Sequence, residues 1–289
     1  MPVIRNTNND LQPDKSVDQL TNQPINLSTY QLINYTLHLA DNTLILAQRN
    51  SAWCGHGPVL EQDIAITNIS LDILGQARNF YQYAAELINH STNKPLNYST
   101  IQPASEDTLA YLRDSRDFKN CLLVEQPNGD WGKTLLRLFF FSSYQYLLYE
   151  KLQHSRDERL AAIAVKALKE VAYHVRWSSE WVIRLGDGTD ESHQRMENAI
   201  DELWPYIDEL FINAVYEEAL LKDNIAVDVS ALKAKWLEKI LTVFNEATLQ
   251  VPQNVFVKTG GKQGIHSEQL GYILAEMQFM QRAYPNSTW

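Results

Sequence analysis

Residues 131–185 read WGKTLLRLFFFSSYQYLLYEKLQHSRDERLAAIAVKALKEVAYHVRWSSEWVIRL. Apolar residues recur here every three or four positions, the period of a helix with a buried side. The period runs from about Trp131 to Gln153 and again from about Arg156 to Leu185. The break between them is tiny, so these two long helices are antiparallel neighbours. Gly186-Asp187-Gly188-Thr189 ends the second of them.

The same grammar holds on the N-terminal side. Ser28 suits an N-cap, and Ile33, Leu37, Ala40, Leu44 and Ala47 form one stripe ending near Asn50. Trp53-Cys54-Gly55-His56-Gly57-Pro58 is a compact turn. A helix over Val59 to Asn89 follows, with Leu60, Ile64, Leu71, Ile73 and Leu74 as its expected apolar side. Gly75 in its middle costs about 1 kcal/mol relative to Ala, which suggests a close backbone approach there. Residues 90–104 read as a loop, 106–116 as a short helix and 126–130 as a turn, with 117–123 ambiguous. Further helices are expected over 190–213, 230–247 and 267–284, with an extended or loop-rich stretch over 254–263. Two helical hairpins joined by one long crossover predict an all-α, ferritin-like four-helix bundle with additional C-terminal helices. Residues 1–26 read as a disordered leader and 27–289 as a single helical domain.

Composition narrows the function. The 289 residues are 45% hydrophobic and 21% charged, ordinary for a folded globular chain. The longest apolar stretch, Leu135 to Tyr149, is interrupted by Arg137, two serines and Gln145, short of the roughly 18 residues of a membrane helix. Residues 1–26 lack the apolar core of a secretory signal. Cys54 and Cys121 cannot build a disulfide framework, so a reducing cytoplasm is expected. The formal charge of −10 argues against nucleic acid as a partner. Seven Trp and fourteen Tyr exceed the need of one small core and suggest a protein-binding face.

A catalytic ferritin-like bundle needs a Glu from each of two helices and a Glu-x-x-His from each of the other two. Carboxylates and imidazoles hold two irons while leaving positions open for dioxygen. Here the first helix offers Asp41. The second offers Asp72-Ile73-Leu74-Gly75, whose Gly75 has no side chain to ligate with. The third carries no acid between Trp131 and Tyr149, and the fourth offers Glu170-Val171-Ala172-Tyr173, with His174 one residue late. The metal site therefore reads as lost. On the fourth helix Ile163, Lys166, Glu170, His174, Trp177 and Trp181 share a stripe. Either this is a solvated face beside packed tryptophans, or Lys166 supplies the positive charge that metals would have supplied. In the second case Asp41, Asp72 and Glu170 surround it, because buried carboxylates must be paired.

Several stretches resemble the PaaC family, the C component of the bacterial phenylacetyl-CoA epoxidases, also called ring-1,2-phenylacetyl-CoA oxygenases. They are AWCGHGPVLEQDIAITNISLDILGQARNFYQYAAEL (52–87), LLVEQPNGD (122–130), KEVAYHVRWSSEWVIRLGDGTDES (169–192), NEATLQVP (245–252) and KTGGKQGIHSEQLGYILAEMQFMQR (258–282). The leader 1–26 and the loop 90–104 look like additions to that pattern. The resemblance implies a ferritin-like fold and a structural subunit without metal ligands. Its implied partners are a catalytic A subunit holding the di-iron centre, a small B subunit, and a reductase carrying flavin and an iron–sulfur cluster. A homodimer within a heterotetramer is implied, with phenylacetyl-CoA as substrate. It also implies a CoA-thioester contact at Asp117-Phe118-Lys119-Asn120, with Glu218-Ala219-Leu220 nearby. Lys119 could meet a phosphate and Phe118 could stack on adenine, whereas Glu218 would repel phosphate. An ordinary loop remains the other reading of 117–120.

Two further motifs invite a functional reading. Gly260-Gly261-Lys262-Gln263-Gly264, before Ser267, resembles an anion nest at a helix start, but a structural turn or a contact between subunits suits it better. Trp53-Cys54-Gly55-His56 pairs a thiol with an imidazole without a third orienting group, so it is not read as a nucleophilic dyad. Alternatives that stay open are a self-sufficient di-iron oxygenase using Asp41, Asp72, Glu170 and His174, and a CoA-thioester binding protein acting alone.

Overall fold

The computed structural model describes residues 27–91, 103–253, 255–285 and 287. The leader 1–26 and most of the 90–104 loop lie outside them. The elements are α1 Leu27–Ser51, α2 Leu60–His90, α3 Glu106–Tyr111, α4 Leu122–Glu125, α5 Trp131–Leu152, α6 Glu158–Gly186, α7 Asp190–Leu203, α8 Val215–Leu221, α9 Lys233–Glu246, α10 Glu268–Met277 and α11 Phe279–Ala283. Among the described residues there is no strand. α1 pairs with α2 and α5 with α6, and the two hairpins meet through α2 and α6. This is the ferritin-like bundle the periodicity predicts.

Two helices form its axis. Every residue from Ile33 to Ala47 in α1 and from Thr134 to Gln145 in α5 is buried. A helix buried on all sides needs neighbours all round. α1 has α2, α4, α8 and α10; α5 has α4, α6, α7 and α9. The C-terminal helices thus complete the core rather than decorate it. Caps set the ends of the second hairpin. Asp130 accepts the Lys133 N–H at 2.9 Å and Asp157 the Leu160 N–H at 2.9 Å. Asp157 also accepts the Tyr83 hydroxyl at 2.5 Å, which ties the start of α6 to α2.

Several expected boundaries move. Ser28 stands inside α1 rather than capping it. The helix expected over 190–213 stops at Leu203, because Pro205 and two 3-10 turns redirect the chain. The helix over 267–284 breaks at Gln278, and α8 is a helix the periodicity did not reveal.

The apolar side expected for α2 is largely wrong. Ile66, Ile69, Ile73, Ala77, Phe80 and Ala84 face the core, whereas Leu60, Ile64, Leu71 and Leu74 are exposed. A helix with apolar residues on both sides gives no single stripe to read. Gly75 also has no close neighbour: a methyl group there would meet nothing within 4 Å.

The surplus of aromatic residues is spent mostly inside. Trp53, Trp131, Trp177 and Trp181 form a chain of ring contacts at 5.0–6.5 Å. Trp204 and Trp236 pack with Phe140 and Phe244. No described tryptophan is exposed. The exposed apolar surface is instead largely aliphatic, and α2 carries much of it.

Candidate functional site

Asp41 lies at mid-height in α1, fully buried. Its carboxylate accepts from both terminal nitrogens of the Arg113 guanidinium, one at 3.2 Å, from the Tyr81 hydroxyl at 2.5 Å and from the Lys119 N–H at 2.8 Å. Arg113, itself buried, also donates to the carbonyls of Leu109 and Asp117. The charge that neutralises Asp41 is therefore Arg113, which arrives on the loop after α3. Lys166 does not enter the bundle. It is exposed on α6, because Leu160, Ala164, Ala167, Val171 and His174 turn the core-facing side of that helix away from it.

The other expected members are dispersed. Asp72, 42% exposed, accepts from His174 Nε2 at 3.1 Å, and the buried His174 Nδ1 has no partner. Glu170 accepts from Gln76 at 2.9 Å. Gln76 in turn accepts from Gln145 of α5 at 3.0 Å, and Gln145 also donates to Tyr149 at 2.9 Å. Amides from α2 and α5 thus stand in the core beside Glu170. An amide oxygen is a neutral, weaker ligand than the carboxylates a di-iron pair requires. Asp41 is saturated by an arginine, which a metal cation would have to displace. Among the described residues no group of three or more His, Cys, Asp or Glu is placed to hold a metal ion. These donors do not fit a di-iron centre.

The segment from Asp114 to Glu125 crosses beside Asp41 and is clamped from outside by residues 258–267. Gly261 and Gly264 let the clamp approach: a Cβ would come 2.2 Å from the Asn120 carbonyl oxygen and 2.3 Å from that of Arg116. The Gly260–Gly264 turn, which resembles an anion nest, is filled from within the chain, as suits the structural turn preferred for it. Glu209 accepts the N–H groups of Gly260 at 2.8 Å, Gly261 at 2.7 Å and Leu122 at 2.6 Å. Burial pushes its carboxyl pKa up, while those three N–H groups and the nearby Lys262 ammonium pull the other way. Lys262 is buried, donating to the Ile212 carbonyl at 2.8 Å and to Glu217 at 2.9 Å.

A second carboxylate fastens the clamp. Glu125 accepts from Asn120 at 2.9 Å, from His266 Nδ1 at 2.8 Å and from the Ser267 N–H at 2.7 Å. His266 Nε2 donates to the Phe118 carbonyl at 3.0 Å. Two acceptors against its ring favour the imidazolium form of His266. Burial opposes its charge, but the Glu125 carboxylate and the Phe118 carbonyl outweigh it and raise the pKa. His38 is the opposite case. Its Nδ1–H donates to the Lys119 carbonyl at 2.7 Å and its Nε2 accepts from Asn42 at 3.2 Å. Burial pushes its pKa down to about 4, against the pull of Glu217.

This geometry divides the expected CoA contact. Phe118 is fully buried and its ring face is covered by the Arg113 guanidinium at 4.3 Å, so it cannot stack on adenine. Asn120 is buried and bound to Glu125. Only Asp117 and Lys119 reach the surface. The Lys119 ammonium lies 5.8 Å from the ring centre of Tyr216, at the start of α8. Burial lowers its pKa, with Asp41 opposing. On α8, Glu218 is exposed, Ala219 half-buried and Leu220 buried. Segment 117–120 therefore meets the start of α8, the helix that carries 218–220, through Lys119 and Tyr216.

The family described as phenylacetic acid catabolic protein matches residues 18–289 of the chain. The chain belongs to that family. It is 49% identical over 259 residues to the C subunit of the 1,2-phenylacetyl-CoA epoxidase of Escherichia coli (strain K12), a match covering 90% of this chain and 99% of that relative.

Within this family member, the sequence reading missed Arg113, Gln76, Gln145 and Glu209. Gln76 and Gln145 had a usable signal: each is a polar residue within a run destined for the core. Arg113 had none, because it lies near the end of a short polar helix whose partner is 72 residues away.

Proposed function

We propose that this chain is the non-catalytic structural subunit of a complex that epoxidises phenylacetyl-CoA in aerobic phenylacetate breakdown. In this reading a homologous A subunit holds the di-iron centre, and this chain binds no cofactor of its own. A B subunit and a reductase with flavin and an iron–sulfur cluster complete the system, and a dimer of this chain sits within a heterotetramer in the cytoplasm. Residues 27–289 act as one helical domain behind the leader. The observation that carries the reading is the locking of Asp41 by Arg113 together with Gln145 on α5, the helix that would have to bring an acid. The similarity to an epoxidase component supports the choice of complex. The exposed Leu60, Ile64, Leu71 and Leu74 of α2 support a partner face, since apolar side chains in such a row gain by being covered.

For the CoA thioester, Lys119 is the contact we propose, as a partly desolvated ammonium that among the described residues has no carboxylate within ion-pair distance. The decisive experiment is iron analysis of the purified chain and of the chain co-purified with the catalytic subunit. Iron is expected only in the second sample. About two irons per chain in the first would overturn the reading in favour of a self-sufficient di-iron oxygenase.

A further inference from the structure

α5, α6 and α9 enclose a groove of about 580 Å³, within the usual size of a small-molecule site. It lies on the far side of α6 from Asp72 and is independent of the function proposed above. Its floor is apolar, with Tyr146, Leu147, Val175, Ile183 and Val243. In its wall stands Ser143, whose hydroxyl is buried and has no hydrogen-bond partner. A buried hydroxyl left unpaired is destabilising, and a ligand atom that bonds it recovers that loss.

The charges in the groove are ordered. α6 and α9 close together at their C-terminal ends, where a Cβ on Gly186 would come 2.5 Å from the Ala247 carbonyl oxygen. Glu180 and Glu246 lie toward that closed end. Arg176, Lys235 and Lys239 come earlier on the same two helices, toward the end where Leu147 adjoins Lys235. Among the described residues none of these three cations has a carboxylate within ion-pair distance. Three such cations at one end of an apolar trough match an anionic head on an apolar body.

We propose that this groove binds an organic monocarboxylate with an apolar body, its carboxylate among Arg176, Lys235 and Lys239 and its body over Val175 and Val243. The test is calorimetric titration of the full chain with decanoate, phenylacetate and decanol. Decanoate or phenylacetate is expected to bind saturably, and whichever binds more tightly separates an aliphatic from an aromatic ligand. Decanol should bind at least about tenfold more weakly than decanoate, as should decanoate to the K235E/K239E double variant, whose exposed positions leave folding intact. S143A should weaken binding a few-fold while leaving the unfolding midpoint unchanged or higher, since it removes a buried, unpaired hydroxyl. Equal affinity for decanol and decanoate, or an unchanged affinity in the double variant, would overturn the proposal. So would the absence of saturable binding by either carboxylate. Protection of residues 235–246 from hydrogen exchange in the assembled complex, undisturbed by carboxylate, would assign the groove to a protein partner instead.

Discussion

Arg113 and Asp41 form an ion pair from which water is excluded on both sides, and Tyr81 and the Lys119 N–H complete the carboxylate's shell. The pair joins the centre of α1 to the loop that follows α3 and fixes the path of residues 114–120. In a metal-binding bundle a cation at this height would hold several helices together. Here an arginine does so, while Arg113 also covers Phe118.

Removing one partner should therefore be costly. Arg113→Met leaves Asp41 buried with only a phenol and an amide against it, and should lose roughly 3–5 kcal/mol in urea unfolding. The double variant R113M/D41L removes both charges and should recover a large part of that loss. Equal stabilities of R113M and the parent would show that the pair contributes nothing.

The architecture was legible because it rests on periodicity and link length. Two hairpins and a long crossover are visible in the spacing of Leu, Ile and Phe alone. The missing acid on α5 was equally plain, since it is a matter of residue type. The partner that neutralises Asp41 was not legible, because Lys166 and Glu170 share a helix whereas Arg113 and Asp41 meet only in three dimensions. Lys166 fits the stripe at i,i+4, but only Ile163, His174 and Trp177 of that stripe are buried, and Lys166 lies on its exposed margin. The face of α2 failed for a related reason: Leu71 and Ile73 are equally apolar, and only the packing of α1 and α6 selects between them.

The clamp should weaken in base. The pKa of His266 is raised above its ordinary value of about 6.5, so its pairing with Glu125 is fully present below that pH. The contribution is lost as pH rises through the raised folded value. Relative to H266Q, the parent's stability should decline as pH climbs above about 6.5 and through the raised value. Parallel stability curves across that range would contradict the pairing.

His38 acts in the opposite direction. Its folded pKa of about 4 lies below the unfolded value of 6.5, so its neutral form favours the fold fully above pH 6.5. That contribution disappears as pH falls toward 4, and amounts to roughly 3 kcal/mol at about 1.4 kcal/mol per pKa unit. Unfolding midpoints of H38Q and the parent, compared from pH 7 to 4, should converge. Divergence on acidification would mean that His38 charges readily in place.

Two glycines should respond with opposite signs. Gly261→Ala drives a methyl group into the Asn120 carbonyl, a backbone atom that cannot turn aside, and should cost on the order of 2 kcal/mol or more. Gly75→Ala meets nothing within 4 Å inside α2 and should stabilise by about 0.5–1 kcal/mol, through helix propensity alone. Thermal unfolding of the two variants reads both effects. A destabilised G75A would show that a methyl group there does meet a neighbour, against the open space beside Gly75.

The α2 row offers the sharpest test of assembly. Leu71 and Ile64 are 60% and 53% exposed, so placing Asp at either should move the chain's own stability by no more than about 0.5 kcal/mol. In an apolar interface the same carboxylate must be desolvated without a partner, at a cost of several kcal/mol. L71D and I64D should therefore fold as the parent does and fail to co-purify with a co-expressed catalytic partner. A surface lysine elsewhere on the chain, Lys169→Asp, serves as the control and should leave co-purification intact. If L71D and I64D both assemble normally, α2 is not the covered face, and the partner must sit elsewhere on the bundle.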